Sequence, residues 1–264
     1  MGKNIGRRET LYLILYSVIG QVASSILILT SKMPPEIEFT AVESIGLSLA
    51  YTLAIFAITL LILYLLRRKL HALLMLMFIV SFALSTTAAF FLVADRHNLN
   101  PLSAVVAGLA LTLLAVWENP LTPVSQSVAA GVISYVIVQL TGTTFPMTMI
   151  VLLSLYDIYT VYKGPLRKII AETSSQKETV ENIMTPIMVK TGKISVGMGD
   201  ILAYTLAAAI SYQSLRPLLA TLNIAAMYVG IAITVSLVKR WGYVPGLPAP
   251  VWLWLSSHIV LSTI

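Results

Sequence analysis

The sequence predicts an all-α, polytopic membrane protein of nine transmembrane helices, with the N-terminus cytoplasmic and the C-terminus outside. Of its 264 residues 58% are apolar and 11% are charged, a composition that suits lipid rather than water as the solvent. Nine apolar runs reach the roughly 17–25 residues that a helix needs to cross a hydrocarbon core of about 30 Å. Positive charge supplies the direction: 14 of the 17 lysines and arginines fall on one side when the connections are taken alternately, and such residues gather in loops that stay cytoplasmic.

The first span, 11–30, follows Lys3, Arg7 and Arg8, an outline shared with signal peptides. Its apolar run continues through Ile26 to Leu29 beyond the small-residue patch Ala23-Ser24-Ser25, so it reads as a retained anchor helix. Spans two and three, 47–66 and 71–94, are divided by Arg67-Arg68-Lys69. Spans four to six, 101–117, 124–140 and 146–162, are joined by short connections holding Pro or Gly, which predicts antiparallel neighbours. A connection of about 30 residues, 163–193, follows. In it Val180, Ile183, Met184, Ile187 and Met188 repeat at helical spacing while Pro186 interrupts a continuous helix, so a surface-lying segment and a flexible linker both stay open. Spans seven to nine occupy 194–212, 216–238 and 246–263. No stretch is left for a folded soluble domain, and residues 1–264 read as one bundle, with 1–162 and 194–264 on either side of the long connection.

Several chemistries drop out. The absence of cysteine excludes thiol chemistry and Cys-ligated metals, and His71, His97 and His258 are scattered, so neither a metal nor a cofactor is expected. The net charge of +6 needs no nucleic acid, since a basic face against anionic headgroups accounts for it.

Asp157 and Asp200 are the acidic residues that fall inside strongly apolar stretches. A carboxylate within a membrane span is costly and marks function by default. Asp157 lies in span six about five residues from its cytoplasmic edge, and Asp200 about six residues into span seven from the same side; at about 1.5 Å per residue the two sit at one depth. Gly197 and Gly199 remove side-chain bulk just before Asp200, which is expected to let a neighbouring helix approach. Two carboxyls close enough to share a proton act as a coupled acid and base. The ionised member takes a proton from attacking water, and the protonated one hydrogen-bonds the carbonyl oxygen and then helps protonate the leaving nitrogen. Amide hydrolysis is one use of such a pair; a proton or cation path through a carrier is another. Before span nine, Pro245-Gly246-Leu247-Pro248-Ala249-Pro250 puts three prolines within six residues, which disfavours regular helix and leaves backbone groups to face protein or a wet cavity.

These residues resemble the intramembrane aspartyl proteases that comprise presenilins and signal peptide peptidases. That family carries Tyr-Asp in span six, Gly-x-Gly-Asp in span seven and Pro-Ala-Leu at the start of span nine; this chain has Tyr156-Asp157, Gly197-Met198-Gly199-Asp200 and the proline segment at the matching ordinal positions. The third motif departs from the pattern. Pro245-Gly246-Leu247 followed by Pro248 is the preferred match, with Gly in place of Ala, and Pro248-Ala249-Pro250 is the alternative. The resemblance implies Asp157 and Asp200 as catalytic residues, a substrate-binding strip at Pro245, Gly246, Leu247 and Pro248, and single-span transmembrane helices as substrates within the bilayer. It implies no accessory subunit and leaves self-association open. The small size and short loops are similar to prokaryotic, particularly archaeal, members, hence a prokaryotic cell membrane; the inward N-terminus resembles presenilins and implies substrates with their N-terminus outside.

Other polar residues receive ordinary roles. Gln21, Gln139 and Asn223 are expected to hydrogen-bond between helices, and Tyr156 to pack in a cavity wall because an adjacent residue does not share a helix face with Asp157. Trp117, Trp241, Trp252 and Trp254 suit interfacial anchoring.

Overall fold

A computed structural model of the chain describes residues 7–31, 37, 39–117, 120–164, 188–191, 194–241 and 244–264. The described residues form helices α1 (Arg7–Ser31), α2 (Ala41–Arg67), α3 (His71–Arg96), α4 (Pro101–Val116), α5 (Thr122–Thr141), α6 (Thr144–Tyr162), α7 (Met198–Ser214), α8 (Pro217–Trp241) and α9 (Pro248–Leu261). Two short strands, β1 (Met188–Thr191) and β2 (Ile194–Gly197), pair antiparallel with Val189 opposite Val196 and lead into α7. Local chemistry fixes several starts. Thr40 and Glu43 form a capping box at α2, and the Asn100 side chain accepts from the Leu102 amide before Pro101 opens α4.

Six helices, α1 over Thr10–Ser31 together with α2, α3, α5, α6 and α8, are long and apolar enough to cross a membrane. The other three are shorter than the sequence suggested: α4 has 16 residues, α7 has 17 and α9 has 14. For α7 the shortfall lies at its start, and α9 loses two residues at each end. Residues 194–197, read as the start of span seven, are a strand, and 244–247 run without regular structure before α9. Alternating β-branched residues at Ile194 and Val196 favour the strand, and Gly197 and Gly199 weaken helix at that point. The same hairpin replaces part of the connection expected over 163–193; its apolar periodicity at 180–187 lies outside the described residues.

The fold is built around α7, which is buried from Ala203 through Ser211. It touches α1, α5, α6, α8 and α9, while α2 packs on α6, α3 on α4, and α8 on α9. Helix α5 does contact its expected neighbours α4 and α6, yet its main partners are α1 and α7. Small residues decide this: a Cβ on Gly20 would lie 2.6 Å from the Ser127 carbonyl oxygen, and one on Gly131 would strike the Gly20 carbonyl. With lipid as solvent, such close backbone approach is a principal source of helix association.

Polar side chains tie the same helices. Gln21 of α1 donates to the Tyr204 carbonyl and accepts from the Tyr228 hydroxyl, and Gln139 of α5 donates to Gln213 of α7. Asn223 of α8 donates to Ser211 at 2.9 Å and meets His258 Nδ1 at 2.9 Å. Trp254 corrects an expectation: instead of anchoring at an interface it is fully buried, and its indole N–H donates to Ser211 Oγ at 2.9 Å. A serine inside the bundle satisfies the one polar atom that would otherwise draw the ring to the interface.

Candidate active site

Asp157 lies in the last turns of α6 and Asp200 in the first turn of α7, just after the hairpin. Both line one cavity of about 240 Å³ bounded by α2, α6, α7 and Leu247. The remaining lining is mostly apolar, including Ile55 of α2, Leu153 of α6 and Leu206 of α7. Position in the first turn sets Asp200 at the positive end of the α7 dipole.

The irregular strip before α9 reaches both carboxyls. The Leu247 amide donates to Asp157 Oδ2 at 3.1 Å, and a Cβ on Gly246 would fall 2.6 Å from Asp200 Oδ2. One dipeptide therefore touches the acid of α6 with its amide and the acid of α7 with its bare α-carbon. Pro245 and Leu247 are buried, while Pro248 is the first residue of α9. The segment Pro248-Ala249-Pro250 belongs to the helix itself, and its backbone packs where a Cβ on Gly230 of α8 would collide with Pro250. Of the two motif alignments, Pro245-Gly246-Leu247 is the one that contains Gly246 and Leu247, the two residues seen at the carboxyls.

The glycines of α7 do not act as anticipated. Among the described residues a Cβ on Gly199 would meet nothing within 4 Å, and one on Gly197 would lie 3.8 Å from Asp200 Oδ2, so no described helix packs closely against either. Gly199 is exposed and lines the cavity, where absence of a side chain keeps space open beside Asp200. Gly197 ends β2 and caps α7. Met198, between them, turns away and packs near Phe82, Ala115 and Ala129. The close approach expected at α7 occurs instead at Gly246.

Tyr156 lines the cavity and directs its hydroxyl to Thr59 of α2 at 3.1 Å, with its ring edge-on to Phe56. Tyr204 escaped the sequence reading. It stands four residues after Asp200, on the same face of α7, is 3% exposed, and donates its hydroxyl to the Gly246 carbonyl at 3.0 Å. The four-residue spacing was available in the sequence; the carbonyl it serves was not.

No known family model matches the sequence, and no curated protein matches it. Structures do match. A solved structure of a presenilin family intramembrane aspartate protease in space group C222 superposes with a TM-score of 0.62 at 16% identity, covering 96% of this chain and 97% of that one. The chain has the presenilin fold. A second structure of a presenilin family intramembrane aspartate protease, in space group P2, gives a TM-score of 0.57 at 17% identity over 94% and 95% of the two chains. Coverage near the full length of both partners means that the presenilin fold extends over the helices before Asp157 as well as those around the site. With its six long apolar helices this is an integral membrane protein.

Proposed function

We propose that this protein is an intramembrane aspartyl endopeptidase that hydrolyses peptide bonds within single-span transmembrane substrates. The observation that carries the proposal is the meeting of Asp157, Asp200 and the Gly246–Leu247 dipeptide at one cavity. In the reaction, water held between the carboxyls attacks the scissile carbonyl carbon as the ionised carboxylate removes its proton. The protonated carboxyl hydrogen-bonds the carbonyl oxygen as it gains charge. The tetrahedral intermediate then collapses, the C–N bond breaks, and the leaving nitrogen receives a proton from the dyad.

A helical substrate hides its carbonyls in its own hydrogen bonds, so a bond must be unwound before water reaches it. The cavity supplies apolar surface for side chains, and Pro245 to Pro248 offers irregular backbone beside the acids. The further reading is a nine-span topology with an inward N-terminus in a prokaryotic cell membrane, and substrates oriented with their N-terminus outside. The alternative use of two carboxylates, a proton or cation path, is separated by one comparison. Purified protein incubated with a single-span peptide in micelles should yield two fragments, and the same protein in liposomes should pass no ion current. Ion flux without cleavage would show a carrier on the same scaffold.

A further inference from the structure

The Gly246 carbonyl and the Leu247 amide are the two ends of one peptide group. Its oxygen accepts from the Tyr204 hydroxyl of α7 at 3.0 Å, and its nitrogen donates to Asp157 Oδ2 of α6 at 3.1 Å. The peptide is planar and its C=O and N–H point in opposite directions, so fixing one end fixes the other. Hydrogen bonds in such a chain also polarise one another, which makes an amide whose carbonyl is engaged a stronger donor.

We propose that Tyr204 is a positioning residue for the dyad, acting on Asp157 through the Gly246–Leu247 peptide group. This rests on the protease reading for its kinetic consequence, and on geometry alone for its structural one. The Tyr204 hydroxyl donates to the Gly246 carbonyl, and its effect on Asp157 runs through that peptide group. Its ring is buried one turn from Asp200, so α7 carries both an acid and the clamp that orients the strip facing the other acid. The flanking residues make a clamp useful: Pro245 and Pro248 have no amide to donate, and although the Leu247 carbonyl accepts from the Val251 amide at 3.0 Å, the Gly246–Leu247 peptide group itself takes no part in the helical bonds of α9. Without the hydroxyl, the peptide plane is free to rotate and the Asp157 carboxylate loses a fixed donor.

The test uses the full-length protein in detergent micelles as Tyr204→Phe, with Tyr212→Phe as control, because the Tyr212 hydroxyl meets Thr221 Oγ1 at 3.1 Å near the far end of α7 from Asp200. Amide exchange over residues 244–251 should quicken roughly tenfold in Tyr204→Phe and stay unchanged in the control. With a single-span substrate, kcat should fall about tenfold with KM within about twofold, the pattern of an oriented group lost from the transition state. Unchanged exchange over 244–251 overturns the proposal whatever the activity. Faster exchange in a protein whose wild type cleaves nothing keeps the clamp and removes the protease reading. If Tyr204→Phe does not fold, 3-fluorotyrosine at position 204 keeps the shape and strengthens the donor. Exchange should then slow, and no change would again overturn the proposal.

Discussion

Gly246 shows how one missing atom shapes the site. Glycine here is demanded by proximity, since an added Cβ would lie 2.6 Å from Asp200 Oδ2 and 3.0 Å from its Cγ. The colliding atoms end a short side chain, so Gly246→Ala should be accommodated by turning the carboxyl aside. The expected result is a thermal stability nearly unchanged, with kcat reduced about tenfold or more, equivalent to about 1.4 kcal/mol or more in the barrier. Full activity in Gly246→Ala, measured on a single-span peptide, would mean that the strip stands further from Asp200. The sequence displayed both aspartates and the proline strip because acids and prolines are rare and costly in lipid. It did not display the Tyr204 clamp: a tyrosine among apolar residues carries no mark of which carbonyl its hydroxyl will meet.

Among the helices, α9 is held at both ends of its length. Its first turn packs its backbone against Gly230 of α8, and its second half is fastened by Trp254 to Ser211 and by His258 to Asn223. Those contacts fix the height at which Leu247 leaves the helix and offers its amide to Asp157. A side chain at position 230 would meet the backbone of Ala249 and Pro250, which has no rotamer with which to yield. Gly230→Leu should therefore shift the start of α9, cost about 1–3 kcal/mol as overpacking, and reduce kcat at least about tenfold. Calorimetry and the peptide assay read the two effects. Unaltered stability with unaltered rate would show that α9 does not set the strip. The start at Pro101 was readable because a proline stood there, whereas α2 begins at Ala41 behind the Thr40 cap, six residues before the expected 47, because the polar first turn of that helix lowers its hydropathy. The start of α7 was misplaced because Ile194-Ser195-Val196-Gly197 is as apolar as a helix, and its pairing with Met188–Thr191 depends on a partner strand that hydropathy does not reveal.

Across the bundle, each of the nine apolar runs holds a helix among the described residues, in the predicted order, and α2, α6, α7 and the strip before α9 meet at one cavity. Less legible was which helices would pair. Short connections pointed to sequence neighbours, whereas α1 lies on α5 and α7 through Gly20 and Gly131, a match of small surfaces far apart in the chain. If Asp157 and Asp200 work as one unit, that behaviour is visible in non-additivity. The measurement is the cleavage rate of a single-span peptide by wild type, Asp157→Asn, Asp200→Asn and the double variant. For a shared dyad each single change lowers the rate about 1,000-fold or more, and the double change lowers it no further. Cleavage retained near the wild-type rate by either single variant, or losses that multiply in the double variant, would contradict a shared dyad.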